Sequence, residues 1–208
     1  MFDIETVLIF LSASILLALA PGPDNIYVLT QSMLKGRTAG VVITLGLCTG
    51  LIVHTSLVAF GIAVIFKTSV FAFTALKFAG AAYLLYLAWK AINSTESRFD
   101  IQKSPDISKF YYYRRGIIMN VTNPKVSVFF LAFLPQFANP ENGSVTLQII
   151  ILGFMFIISA LTVFSGISYM AGIIGDWFLK SNKAEKILNR IAGIIFIILA
   201  VKLALASR

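Results

Sequence analysis

At 208 residues, 58% hydrophobic, 12% charged and with a mean hydropathy of +0.88, the chain is too apolar for a soluble domain, in which about half the residues are apolar and about a quarter charged. The net charge of +8 would suit nucleic acid, but the basic residues gather in the polar stretches that bound apolar segments, as in a membrane protein, and nucleic acid is set aside as a partner. One cysteine, Cys48, and one histidine, His54, exclude a disulfide framework and a clustered metal-ligand set, so no cofactor is expected.

The first apolar segment runs over 4–35 and is interrupted by Ala20-Pro21-Gly22-Pro23-Asp24-Asn25. Ala18-Leu19-Ala20 has the small-x-small form of a signal-peptide cleavage site. No basic residue precedes the apolar stretch, however, and Pro21 would follow the cut directly, so the segment is read as a retained helix. The second segment, 39–66, carries only His54 as an ionisable residue, and its Gly46-Leu47-Cys48-Thr49-Gly50 spacing lets another backbone approach, within the chain or in a homo-oligomer. A third helix is expected over 69–90, after which 93–115 forms the one substantial polar connection.

The second half opens with a helix over 116–137, broken at Asn123-Pro124, followed by 145–172 and 187–206. Proline removes a donor and clashes with the preceding turn. In lipid, such a break survives only where protein or a water-filled cavity satisfies the freed groups.

The expected architecture is an all-α integral membrane protein with six transmembrane helices, of which helices 1 and 4 are proline-broken. One membrane domain is divided into a first three-helix repeat (1–92), a connecting loop (93–115) and a second three-helix repeat (116–208). Lys77-Phe78-Ala79-Gly80 aligns with Arg190-Ile191-Ala192-Gly193, and Pro23-Asp24 with Pro124-Lys125, in the same order. An odd number of crossings per half makes the repeats inverted, which places a carrier's site at the matched breaks.

Six crossings put Lys35, Arg37, Lys90, Arg98, Lys103, Lys109, Arg114, Arg115, Lys180, Lys183, Lys186 and Arg190 on one side. The positive-inside rule makes that side the cytoplasm and both termini external. The opposite side keeps Lys67 and Arg208, with Lys77 and Lys202 near it; an odd count with a re-entrant first segment is the alternative.

The candidate substrate- or proton-binding residues cluster at the breaks set by Pro21, Gly22, Pro23 and Pro124. Asp24 opens a new half-helix, where its carboxylate either caps backbone N–H groups or meets a substrate or proton; mid-membrane burial of a carboxylate costs at least about 2.5–3.5 kcal/mol. Lys125 holds the mirrored position, next to Asn120 and Asn123, and is suited to a substrate carboxylate, to pairing with Asp24, or to snorkelling. Asn25 adjoins Asp24. His54 is either a proton-exchanging group or a buried histidine bonded to a neighbouring helix. Lys77 and Arg190 read as interfacial anchors, and Gln31 and Gln136 as polar positions lining one cavity.

The chain resembles the LysE superfamily, in its homoserine/threonine exporter branch of bacterial amino-acid efflux carriers. The likeness rests on Ala20-Pro21-Gly22-Pro23-Asp24-Asn25, on 77–87, on Asn123-Pro124-Lys125, on 129–137 and on Asn189-Arg190-Ile191-Ala192-Gly193. It implies proton-driven export of small amino acids or their derivatives across the inner membrane of a bacterium. Some members carry an acidic residue where this chain has Leu51, after Gly50, a departure that argues against a cationic substrate such as lysine.

Other classes fit less well. One histidine, one cysteine and an isolated aspartate compose neither a nucleophile with its base nor a metal cluster, so an enzyme is not expected. Efflux of another small solute or a metal, or a non-transporting membrane subunit, are the remaining alternatives.

Overall fold

The computed structural model describes residues 2–68, 70–93, 108–171 and 182–205. Arg98, Lys103, Lys180 and Arg208, counted in the charge asymmetry, lie outside the described residues, as does most of the expected connecting loop.

Eight α-helices follow in chain order among the described residues: α1 (Ile4–Leu19), α2 (Pro23–Lys35), α3 (Arg37–Thr68), α4 (Val70–Ile92), α5 (Lys109–Val121), α6 (Pro124–Val128), α7 (Val145–Tyr169) and α8 (Asn182–Leu205). The prolines divide the helices where expected. Pro23 and Pro124 each stand in the first turn of a new helix, where a missing N–H costs nothing. α1 and α2 meet at 59°, and α5 meets the α6 segment at 50°.

The fourth expected helix starts early. Ser108 caps α5, accepting the Tyr111 N–H, so the helix begins at Lys109 rather than at 116 and carries Arg114 and Arg115. Beyond α6 the chain continues as a π-turn (Phe129–Phe133) and a 3-10 turn (Leu134–Phe137). Pro135, with no N–H to give, falls where an α-ladder would need one, and the Leu134 N–H reaches back to Phe129 O instead. At the other end of the chain Asp3 caps α1 by accepting the Thr6 N–H at 2.6 Å, a bond that holds its exposed carboxyl below the usual range.

α3 and α7 are each long and apolar enough to cross a membrane, and each bent pair is so when its two parts are taken as one span. α4 and α8, of 23 and 24 residues, pack together antiparallel: a side chain on Gly193 would strike Ile92 and Ala88, and one on Gly80 would strike Leu203.

α3 is the hub, flanked by α5 and α7. The expected close-approach glycines pack within the chain: a Cβ on Gly46 would strike the Tyr113 carbonyl, and one on Gly116 the Ile43 carbonyl. Backbones approach closely because neither helix has a side chain there. On the far side of the breaks from the Lys35, Arg37 and Lys109 ends, the core is aromatic. Phe10, Phe129, Phe130, Phe133, Phe137 and Phe156 form one cluster with ring centroids 5.0–6.2 Å apart.

Candidate functional site

Breaking a helix frees the last carbonyls of one segment and the first N–H groups of the next, and burial makes each a debt to be met. At the first break, Leu16 O receives the Ala20 N–H at 2.9 Å. Ala18 O receives Asn25 Nδ2 at 2.7 Å. Leu17 O and Ala20 O are met from the other half of the chain, by Lys125 Nζ at 3.3 and 3.0 Å. An ammonium at a helix C-terminus also meets the negative end of the helix dipole. Gly22 makes room for this reach, since a Cβ there would stand 3.2 Å from Lys125 Nζ.

The second break is met largely by its own residues. Ile118 O receives both the N–H and Oγ1 of Thr122, at 3.0 and 2.8 Å, and Asn120 O receives the Asn123 N–H at 3.0 Å. Asn123 then caps α6, its Oδ1 accepting the Lys125 N–H at 3.0 Å. His54 adds a bond from α3: its Nε2 lies 3.2 Å from Asn120 O and, facing a carbonyl, must carry the proton. Phe130 packs beside the imidazole at 5.6 Å.

Between the breaks, Asn123 Nδ2 donates to Asp24 Oδ2 at 2.6 Å. Asp24 and Lys125 are thus brought to one place, and both are buried, with their charges near enough to act on each other, but no hydrogen bond joins them: each bonds to other groups. Lys125 is packed in the interior, so it does not snorkel. Three acceptors of the candidate site residues are left without a partner, Asn25 Oδ1 together with Asp24 Oδ1 and Asn120 Oδ1, the last two on residues only 2% exposed. Asp24, Asn120 and Lys125 line one cavity with Leu17, Ala18, Leu51, Val126, Phe156, Ala160 and Phe164. Its free space of about 10 Å³ admits a single water-sized group.

Gly50 sits behind Asn120, where a Cβ would lie 2.7 Å from both Asn120 Cβ and Oδ1. Leu51 is in the cavity wall. Sequence reasoning named the departure at Leu51 but gave Gly50 only a packing role; the extra signal was its place one turn from His54 on the same face.

Gln31 and Gln136 do not share a cavity. Gln31 is buried on α2 with Oε1 unpartnered, whereas Gln136 bonds to Ala132 O and lines a separate groove with Phe137, Ile198 and Lys202. The two segments they lie on run to opposite ends of the molecule, which separates them. Among the described residues no three His, Cys, Asp or Glu side chains gather as a metal site.

The pattern of the LysE type translocator family matches residues 15–207. A homoserine/homoserine lactone efflux protein of Salmonella typhimurium is 36% identical over 200 residues, 95% of each chain. An uncharacterized membrane protein of Bacillus subtilis, YrhP, is 31% identical over 211 residues, 97% of this chain and all of that one. A membrane protein of Vibrio cholerae, also uncharacterized, is 28% identical over 205 residues, 99% of both. No solved structure matches.

Proposed function

The chain belongs to the LysE type translocator family, and from that premise we propose that it exports small amino acids or their derivatives from the cytoplasm in exchange for protons. The observation that carries the reading is the buried site between the two breaks, where a carboxylate oxygen and an amide oxygen stand unpartnered beside a lysine. In a translocator, interior polar groups of this kind are costly unless a solute or a proton uses them.

The chain crosses the bacterial inner membrane six times, as two inverted repeats, with the Lys35, Arg37 and Lys109 ends in the cytoplasm and both termini outside. Helix directions support this: α3 and α7 are antiparallel, with Gly40 beside Ser168 at one end and Thr55 beside Gly153 nearer the other. The repeats exchange bonds as well, Lys125 of the second closing the first break and His54 of the first bonding at the second. Asp24, Asn25, Asn120, Asn123, Lys125 and His54 make up the substrate and proton site, and Asp24 is the group that gains and loses the proton. The efflux protein of Salmonella typhimurium, named for homoserine and its lactone, indicates the size of solute.

An amino acid far exceeds the cavity's free space, so on this reading the cavity opens during transport, with α2 swinging on the first break. Inverted membrane vesicles carrying the protein should accumulate labelled homoserine or threonine when a pH gradient is imposed and lose it on adding a protonophore. Uptake no greater than in vesicles lacking the protein, across all the amino acids and homoserine, would remove the exporter reading. For orientation, a cysteine replacing Asn142 should react with an impermeant thiol reagent in intact cells lacking Cys48, and one replacing Ser97 should not.

A further inference from the structure

The site's own hydrogen bonds give its two charges different work. Lys125 spends Nζ bonds on Leu17 O and Ala20 O, carbonyls that have no donor within their own segment. It is therefore a clasp that holds the end of α1 against the second half of the chain. Asp24 and Asn120, by contrast, each keep one buried oxygen unpartnered, and both line the same cavity. Both oxygens accept and neither donates. Asn120 Oδ1 is the carbonyl side of an amide whose orientation follows from the network, and in either orientation Asp24 Oδ1 is an acceptor with no donor facing it.

Resting on the exporter reading, we infer that the substrate is recognised through its ammonium group, seated between Asp24 Oδ1 and Asn120 Oδ1, and that its carboxylate is not required. A protonated primary amine supplies three donors in a group of about the size of a water molecule, which is what the closed cavity admits. Its bond to Asp24 is charge-assisted and forms in a low-dielectric interior, where such bonds are strongest. Once the cavity opens to admit the rest of the solute, its carboxyl end meets a lysine that gives two of its three N–H groups to carbonyls, and the apolar side chains of Leu17, Val126, Phe156 and Phe164. Such surroundings tolerate an ester, an amide or a lactone at that end, and they reject a substrate whose nitrogen has been acylated.

The test is competition against the labelled amino acid that the wild-type protein carries into inverted vesicles, at about pH 6, where α-amino groups are charged. Its methyl ester and its primary amide should compete within about threefold of the parent compound, and its N-acetyl derivative should be weaker by at least about tenfold, the weight of one lost charge-assisted bond. An N-acetyl derivative that competes as well as the parent would overturn the inference, as would an ester and amide that both fall by tenfold or more. Either result leaves export itself standing, because the labelled amino acid is still carried. A second readout separates clasp from carboxylate receptor. In Lys125→Gln the ratio of inhibition constants for ester and parent should stay at its wild-type value, whereas a selective loss of the parent would make Lys125 the carboxylate's partner. Should that variant not insert, the wild-type competition still decides.

Discussion

The two proline breaks use one device and finish it differently. At the second, Thr122 and Asn123 meet the Ile118 and Asn120 carbonyls from within the same few residues, and Asn123 caps the helix that follows. At the first, Gly22 occupies the cap position with no side chain to offer, and two carbonyls depend on a lysine from the other half of the chain. A self-completed break is a fixed frame; a break completed from outside comes undone when its partner moves. Under the proposed export cycle, the second break serves as the scaffold and the first as the hinge.

The largest effect should come from Asp24, which belongs to the hinge. Asp24→Asn should abolish accumulation driven by a pH gradient in inverted vesicles, whether or not exchange survives. Because Asp24 and Lys125 hydrogen-bond to different groups, the double change with Lys125→Gln should be equally inactive while inserting normally. Transport restored in the double variant would show that the two charges merely neutralise each other.

Next in size is the clasp. Lys125→Met leaves the carbonyls of Leu17 and Ala20 buried without donors, at about 1–3 kcal/mol each, and should lower the thermal unfolding midpoint in detergent by the widest margin of any change at either break outside Asp24. Unfolding at the wild-type temperature would remove the distinction between hinge and scaffold.

Gly50→Ala sharpens the comparison from the scaffold side. The new Cβ meets the Asn120 Cβ at 2.7 Å, where the contact cannot be relieved by rotating a side chain's far end. Overpacking of this kind costs about 1–3 kcal/mol. Transport should fall more than stability does, because Asn120 is displaced from the cavity. Purified protein that unfolds normally and transports normally would show that the position of Asn120 is immaterial.

The smallest changes are expected where the second break is doubly satisfied. Thr122→Val removes a hydroxyl from Ile118 O, which keeps the Thr122 N–H. His54→Gln removes one donor from Asn120 O, which keeps the Asn123 N–H. The first should alter stability by no more than about 0.5 kcal/mol and the second by about 1 kcal/mol. A loss of pH-driven accumulation in His54→Gln with Asp24 intact would move the proton-exchanging role to the histidine.

Much of this was legible in the chain itself. Proline acts locally, through its missing N–H and its ring, so the breaks at Pro21–Pro23 and Pro124 and the helices on either side follow from the residues alone. Apolar length is likewise a local property, which is why α3 and α7 stand where the charge-free stretches are. The start of α5 was missed because Arg114 and Arg115 resemble loop residues, while the signal that counts, Ser108 as an N-cap, is a single side-chain bond.

Which groups Lys125 bonds was decided only by tertiary structure. The sequence determined that two charges, Asp24 and Lys125, stand beside matched breaks in an apolar chain, because charge, proline and hydropathy are all written residue by residue. It did not determine that Asn123 would take the aspartate and that the end of α1 would take the lysine. Those pairings span 99 to 108 positions, and they exist because folding brings two helix ends together with unequal needs: carbonyls at one break that a distant lysine reaches, and carbonyls at the other met largely by adjacent residues.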